Sequence, residues 1–256
     1  MNYSHLKIGL FIPCYVDQFY PQVGVATLEL LEKLGCTVSF PLNQTCCGQP
    51  MANSGFEHLT TGCNNLFFDS FAGFDYVVSP SGSCVLHIKD HLKVEDKPAE
   101  SKILRKKVYE LVEFITDILK IDFIEADFPH RVGLHQGCHG QRGLHLSQMS
   151  ELNAPAFSKP ETLLRKVKGL ELIELDRKDE CCGFGGTFSV KFDAISSAMA
   201  EQKINNALEQ EVDYIISTDL SCLLHLQGYI DKHKIPLKTM HLADVLANGW
   251  LESTEY

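Results

Sequence analysis

Apolar residues recur along the chain in two rhythms. Short runs rich in β-branched side chains and bounded by turn residues read as buried strands: KIGLFIP, TVSFPL and DYVVS in the first half, RVGLH, LELIEL and DYIIS in the second. Between them lie longer stretches with helical spacing, such as QVGVATLELLEKLG, closed by Gly35, and VKFDAISSAMAEQKINNALEQ. Strands alternating with helices predict right-handed βαβ units and parallel sheets, the α/β class. A third stretch, ILRKKVYELVEFITDILK, has the spacing of an amphipathic helix. Together with the EDKPAE turn before it, it makes the segment 91–128 the expected join between two halves, with a packing role.

The halves repeat one another. DYVVSPSGSCVLH (75–87) and DYIISTDLSCLLH (213–225) align without a gap and share seven of thirteen residues. KIGLFIPC (7–14) resembles RVGLHQGC (131–138), and TCCG pairs with ECCG. Two similar Rossmann-like halves with parallel sheets, related by internal duplication, are therefore expected, with boundaries at 1–121 and 122–256.

Composition narrows the partners. The chain of 256 residues is 45% hydrophobic, enough for buried cores, and carries a formal net charge of -10 without a Lys/Arg-rich block. Nucleic acid and anionic membrane surfaces are bound through clustered basic residues, so neither is expected as a partner. No apolar run approaches the roughly 20 residues needed to span a bilayer. MNYSHLKIGLFIPCY is too short in its apolar part and too poorly flanked for a signal peptide, so a cytoplasmic location is expected. A small-molecule substrate stays open.

Ten cysteines in a reducing compartment point to metal binding or thiol chemistry more than to disulfides. The repeat places eight of them: Cys14, Cys46, Cys47 and Cys84, then Cys138, Cys181, Cys182 and Cys222. Cys36 and Cys63 have no counterpart and read as buried structural thiols. Each repeated cysteine follows a strand, and α/β sheets bind ligands outside the carboxyl ends of their strands. A structural zinc ion usually takes Cys-x2-Cys knuckles, whereas adjacent cysteines diverge and suit a cluster in which each sulfur meets a different metal atom. Four cysteines per half match the thiolate count of an iron-sulfur cluster. Zinc without a redox role, and a metal-free dithiol cycle, remain as alternatives. The glycine after each doublet, Gly48 or Gly183, marks a tight turn or a close backbone approach.

Histidines accompany the thiols. Cys84-Val-Leu-His87 and Cys222-Leu-Leu-His225 put an imidazole on the cysteine's helical face, either as a further ligand, as a hydrogen-bond donor to the site, or as a histidine satisfied elsewhere on a helix face. HQGCHGQR gathers His135, Cys138, His139 and Arg142 at one strand end, to lower a thiolate pKa, offer protons to a substrate, or support the site from behind. Dinucleotide, P-loop, zinc-protease and serine-hydrolase signatures are absent. GFGGTF lacks a lysine and belongs to the second cysteine motif.

The order Cys, Cys-Cys-Gly, Cys, present twice, resembles the cysteine-rich CCG-domain proteins, which include one subunit each of heterodisulfide reductase and of anaerobic glycerol-3-phosphate dehydrogenase. FIPCYVDQFYPQVGVATLELLEKLG, TCCGQP, HQGCHGQR and CCGFGGTFSV are most similar to the lactate-utilization protein A family, over nearly the whole chain. The resemblance implies an iron-sulfur electron-transfer component that works with two companion proteins, themselves iron-sulfur and lactate-utilization subunits, in oxidising L-lactate to pyruvate. It also implies [4Fe-4S] clusters, one or two in number, that in heterodisulfide reductase take five cysteines each. Here the fifth position is His87 in one half and His225 in the other.

Overall fold

The computed structural model of the chain describes residues 3–247. It divides into two compact units, Met1–Leu119 and Lys120–Tyr256. In the first unit the elements run β1 (Tyr3–Leu10), α1 (Cys14–Phe19), α2 (Pro21–Lys33), β2 (Cys36–Ser39), α3 (Gln49–Asn53), a 3-10 turn at Glu57–Thr60, α4 (Thr61–Phe71), β3 (Tyr76–Ser79), α5 (Gly82–His91), α6 (Pro98–Arg105) and β4 (Val108–Glu110). The short α7 (Leu111–Glu113) and a wide π turn at Phe114–Leu119 close it.

All four strands are parallel, in the order β2-β1-β3-β4. Ile8, Val77, Val78 and Val108 have no exposed surface, as expected of a sheet covered on both faces. The chain leaves β1 toward β2 on one side and reaches β3 on the other. That reversal opens a crevice at the carboxyl ends of β1 and β3.

The second unit repeats this plan. Its elements are β5 (Arg131–His135), a π turn at His139–Gly143, α8 (Lys159–Leu164), β6 (Glu171–Ile173), α9 (Thr187–Lys191), α10 (Asp193–Glu209), β7 (Tyr214–Ser217), α11 (Leu220–His233), β8 (Lys238–His241) and α12 (Leu242–Leu246). The strands are again parallel, in the order β6-β5-β7-β8. The expected α/β class and the two similar halves are what the chain forms.

The expected long helix in ILRKKVYELVEFITDILK is instead three things. α6 stops at Arg105, Val108–Glu110 pairs with β3 as a fourth strand, and helical turns resume at Leu111. Val108, Glu110, Leu111, Val112, Phe114 and Ile115 are all fully buried, so this part of the segment has no polar face to turn to water. Glu110 caps the restart: its carboxylate accepts from the amides of Val112 and Glu113, and the Glu113 side chain accepts in return from the Glu110 amide. A second difference lies at Phe192, whose φ of -131° and ψ of 51° divide α9 from α10 where a continuous helix is expected from Val190 onward. Strand β8 is not anticipated by the sequence pattern at all.

Candidate metal centres

In the first unit three loops deliver the predicted thiols to one sheet edge. Cys14 opens α1 directly after β1, Cys46 and Cys47 end the loop after β2, and Cys84 sits in the first turn of α5 after β3. The sulfurs form a chain of contacts. Cys14 and Cys46 are 3.7 Å apart, Cys46 also meets Cys47, and Cys47 meets Cys84. Cys47 and Cys84 are buried, while Cys14 and Cys46 are half-buried.

The second unit builds the same chain. Cys138 follows β5, Cys181 and Cys182 follow β6, and Cys222 lies in the first turn of α11 after β7. Cys181 meets both Cys138 and Cys182, and Cys182 meets Cys222. All ten cysteines are free thiols.

Each doublet owes its shape to the glycine behind it. Gly48 and Gly183 have φ of 91° and 92°, a left-handed conformation that glycine adopts without a Cβ penalty. The turn brings the Gly48 amide to donate to Cys46 Sγ at 3.4 Å, and the Gly183 amide to Cys181 Sγ at 3.4 Å. At Gly183 a Cβ would also lie 2.7 Å from the Ser196 carbonyl oxygen, so the doublet is pressed against α10.

The contacts polarise the thiols. Cys46 accepts from the Cys14 and Cys47 thiols and from the Gly48 amide, which together outweigh its burial and pull its pKa down from 9.0 to about 2. Cys181 is pulled to about 2 in the same way, by Cys138, Cys182 and Gly183. The donors respond oppositely. Cys14 and Cys138 are pushed up by donating to those thiolates and by burial, and Cys47 and Cys182 rise as well. Each half therefore holds one thiolate among protonated neighbours, and a metal ion arriving there would displace the remaining protons.

The histidines divide unequally. His87 is 5% exposed, stacks on His91 at 4.9 Å between ring centroids, and leaves Nε2 without a hydrogen-bond partner. Burial first, and the neighbouring His91 second, hold its pKa down to about 4. His225, at the matching position on α11, is engaged elsewhere: its Nε2 lies 3.2 Å from Ser196 Oγ and 3.3 Å from the Ser196 carbonyl oxygen. Arg142 pairs with Glu151, although its charge still pulls modestly on Cys138.

Two residues stand closer to the sulfurs than their places in the sequence indicate. His135, the last residue of β5, is 1% exposed, and one of its ring nitrogens lies within 4.8 Å of both Cys182 Sγ and Cys222 Sγ, which lie equally close to each other. Neither ring nitrogen has a hydrogen-bond partner. Cys63, expected as a structural thiol, lies on α4 with its Cβ 3.7 Å from where a Gly48 Cβ would be, and the Cys46 thiolate adds to the burial that raises its pKa. Cys36 is buried in β2, which pushes its thiol up to about 11.

The donors fit a bound metal group. Each half offers four sulfurs at one strand edge, and each keeps a buried imidazole nitrogen that the protein itself leaves unpaired.

Comparison with known proteins identifies this arrangement. The pattern of the cysteine-rich (CCG) domain matches residues 8–89 and 132–227, one match to each half, which makes this a double cysteine-rich domain protein. Lactate utilization protein A of Geobacillus kaustophilus (strain HTA426) is 43% identical over 245 residues, covering 94% of this chain and 98% of that protein. The protein of the same name from Bacillus licheniformis is 42% identical, with 94% and 99% coverage. The chain belongs to the lactate utilization protein A family. Among solved structures, a hypothetical protein from Helicobacter pylori shares the fold, with a TM-score of 0.59 at 12% identity, over 97% of this chain and 49% of that one. Among the described residues no helix is long and apolar enough to cross a membrane.

Proposed function

We propose that the protein is an iron-sulfur electron-transfer subunit of an oxidoreductase that converts L-lactate to pyruvate in the cytoplasm, together with companion iron-sulfur and lactate-utilization proteins. The observation that carries this reading is the twice-built chain of four thiols at a sheet edge, in a chain whose relatives are named for lactate utilization. Cys14, Cys46, Cys47 and Cys84 hold one group, and Cys138, Cys181, Cys182 and Cys222 the other. His87 and His225 stand where a fifth thiolate would complete each set.

Oxidation of L-lactate to pyruvate releases two electrons and two protons. A bound iron-sulfur group supplies single-electron acceptance and release. The chain's own residues hold it at the mouth, bury Cys47, Cys84 and Cys182 behind it, and direct the Gly48 and Gly183 amides at sulfur, which favours the reduced, more negative state. The hydride chemistry on lactate falls to the companions, since the sequence carries no dinucleotide-binding motif.

Anaerobic purification of the full chain, with iron and acid-labile sulfide counting and EPR of oxidised and reduced samples, tests the reading. The expected result is iron and sulfide in both halves, with EPR signals that L-lactate changes only when the companion proteins are present. A zinc-binding reading without redox chemistry draws on the compact triangle of His135, Cys182 and Cys222, which would suit a single ion. Stoichiometric zinc without sulfide would establish it and sink the electron-transfer proposal.

A further inference from the structure

We infer that His135 is a nitrogen ligand of the second centre, so that the two halves hold their metal groups with different donor sets. This rests on the metal-centre reading above and adds to it a ligand outside the repeated cysteines.

Burial states the problem first. His135 is 1% exposed and both ring nitrogens lack a hydrogen-bond partner. A buried polar group left unpaired forfeits its hydration without compensation, and such groups persist where something absent from the protein chain satisfies them. The geometry says what that is: a ring nitrogen and the sulfurs of Cys182 and Cys222 lie mutually within 4.8 Å, close enough to share one metal atom.

The internal repeat supplies the control. Aligning KIGLFIPC with RVGLHQGC puts Phe11 at the place of His135. Phe11 is fully buried and packs edge-on against Phe67 at 5.1 Å and Phe71 at 5.7 Å. The fold therefore fills this position with an apolar ring when only packing is asked of it. The second half replaces that ring with one of similar shape and two nitrogens, at the strand end that pairs with Ser217, and one of those nitrogens lies within 4.8 Å of the Cys182 and Cys222 sulfurs.

The helix histidines complete the contrast. In the first half the unpaired buried nitrogen belongs to His87 on α5, whereas in the second His225 on α11 is taken up by Ser196. The second centre thus draws its nitrogen from the strand.

The test uses the full chain, reconstituted anaerobically with iron and sulfide, as wild type, His135→Phe and His135→Cys. Pulsed EPR of the wild type is expected to show directly coordinated imidazole nitrogen on a second-half signal. That coupling disappears in both variants. The His135→Phe protein should keep the first-half signal intact and show a weakened or abolished second one, while the cysteine variant restores the iron and sulfide content without the coupling. Without metal, His135→Phe is expected to unfold at the same or higher temperature than wild type, because unpaired nitrogens leave the core. Cobalt(II) titration of the same three proteins, without sulfide, reads nitrogen ligation whether or not a cluster forms. Wild type that takes up no iron or sulfide, yet binds cobalt with a His135-dependent spectrum, defeats the cluster reading and leaves this ligand standing. Nitrogen coupling and cobalt spectra unaffected by both substitutions overturn it.

Discussion

Cys14 Sγ lies 3.7 Å from Cys46 Sγ and donates its S–H to it. Because the Cys14 and Cys47 donors stabilise the charged form, Cys46 is a thiolate far below the usual cysteine range, and Cys181 matches it. In the metal-free protein these two half-buried sulfurs are expected to alkylate first, at a rate nearly flat with pH across the weakly acidic and neutral range. Cys14→Ala removes a donor, raises the Cys46 pKa and lowers its reactivity at pH 6, about tenfold for each unit by which the pKa comes to exceed that pH. Peptide mapping after brief iodoacetamide treatment checks both. Uniform labelling of all ten cysteines would show that the sulfur chain does not polarise them.

The two doublet glycines are alike in φ but not in surroundings. A Cβ on Gly48 would come 3.1 Å from Thr60 side-chain atoms, whereas one on Gly183 would strike the Ser196 carbonyl at 2.7 Å. Gly48→Ala is expected to cost about 1–2 kcal/mol, the usual penalty of a left-handed alanine. Gly183→Ala adds a backbone collision and is expected to cost more, with loss of metal uptake at the second centre. Chemical denaturation of the two variants ranks them, and equal losses would contradict the collision.

Asp244 on α12 gives the fold a pH dependence of its own. It is 4% exposed with Oδ1 unpaired, and burial raises its pKa from 3.8 to about 7. The native state keeps a proton that the unfolded chain loses, so this contribution is full below 3.8 and declines as pH rises to about 7. Across that window the loss is about 1.4 kcal/mol per pH unit. Asp244→Asn removes the titration, so its stability relative to wild type should climb from pH 4 to pH 7 and then level off. Melting curves on samples of equal metal content measure the difference, and a difference that does not change with pH excludes a buried titrating carboxyl.

The strands next to the switch in each sheet were legible because DYVVS and DYIIS are compact β-branched runs, and the doublets because they occur twice. β4 was not legible: Val108–Glu110 lies in a mostly buried apolar run, where helix and strand periodicity cannot be told apart. β8 is four residues with a half-exposed face and gives almost no pattern. His135 was legible as a group beside Cys138 but not as a ligand, for a different reason. Repetition was the signal that selected ligands, and the repeat places Phe11 there. Cys63 lacks a counterpart for the same reason, and its nearness to Gly48 depends on how α4 packs. That His225 is occupied by Ser196 follows from α10 crossing α11, a tertiary contact that spacing within one helix does not show.

Lys203 separates the two centres electrostatically. It is fully buried on α10, and its Nζ donates to the carbonyls of Arg177 at 3.1 Å and Lys178 at 3.2 Å, in the loop that leads into Cys181 and Cys182. Burial lowers its pKa, while the nearby Glu180, Cys182, Asp179 and Cys138 favour its charged form. Among the described residues of the first unit no lysine or arginine is buried. In its protonated form Lys203 places a positive charge in a low-dielectric interior, which favours the added electron, so with Lys203 charged the second centre is expected to have the higher reduction potential of the two. Lys203→Met keeps the length of the side chain and removes its charge. It should lower the second potential toward the first and, by taking the Lys203 donor from the Lys178 carbonyl while the Arg177 carbonyl keeps the Glu180 amide, destabilise the fold by about 1–3 kcal/mol. Redox titration followed by EPR separates the charge from the packing: a melting temperature that falls while both potentials stay fixed would assign Lys203 a purely structural role.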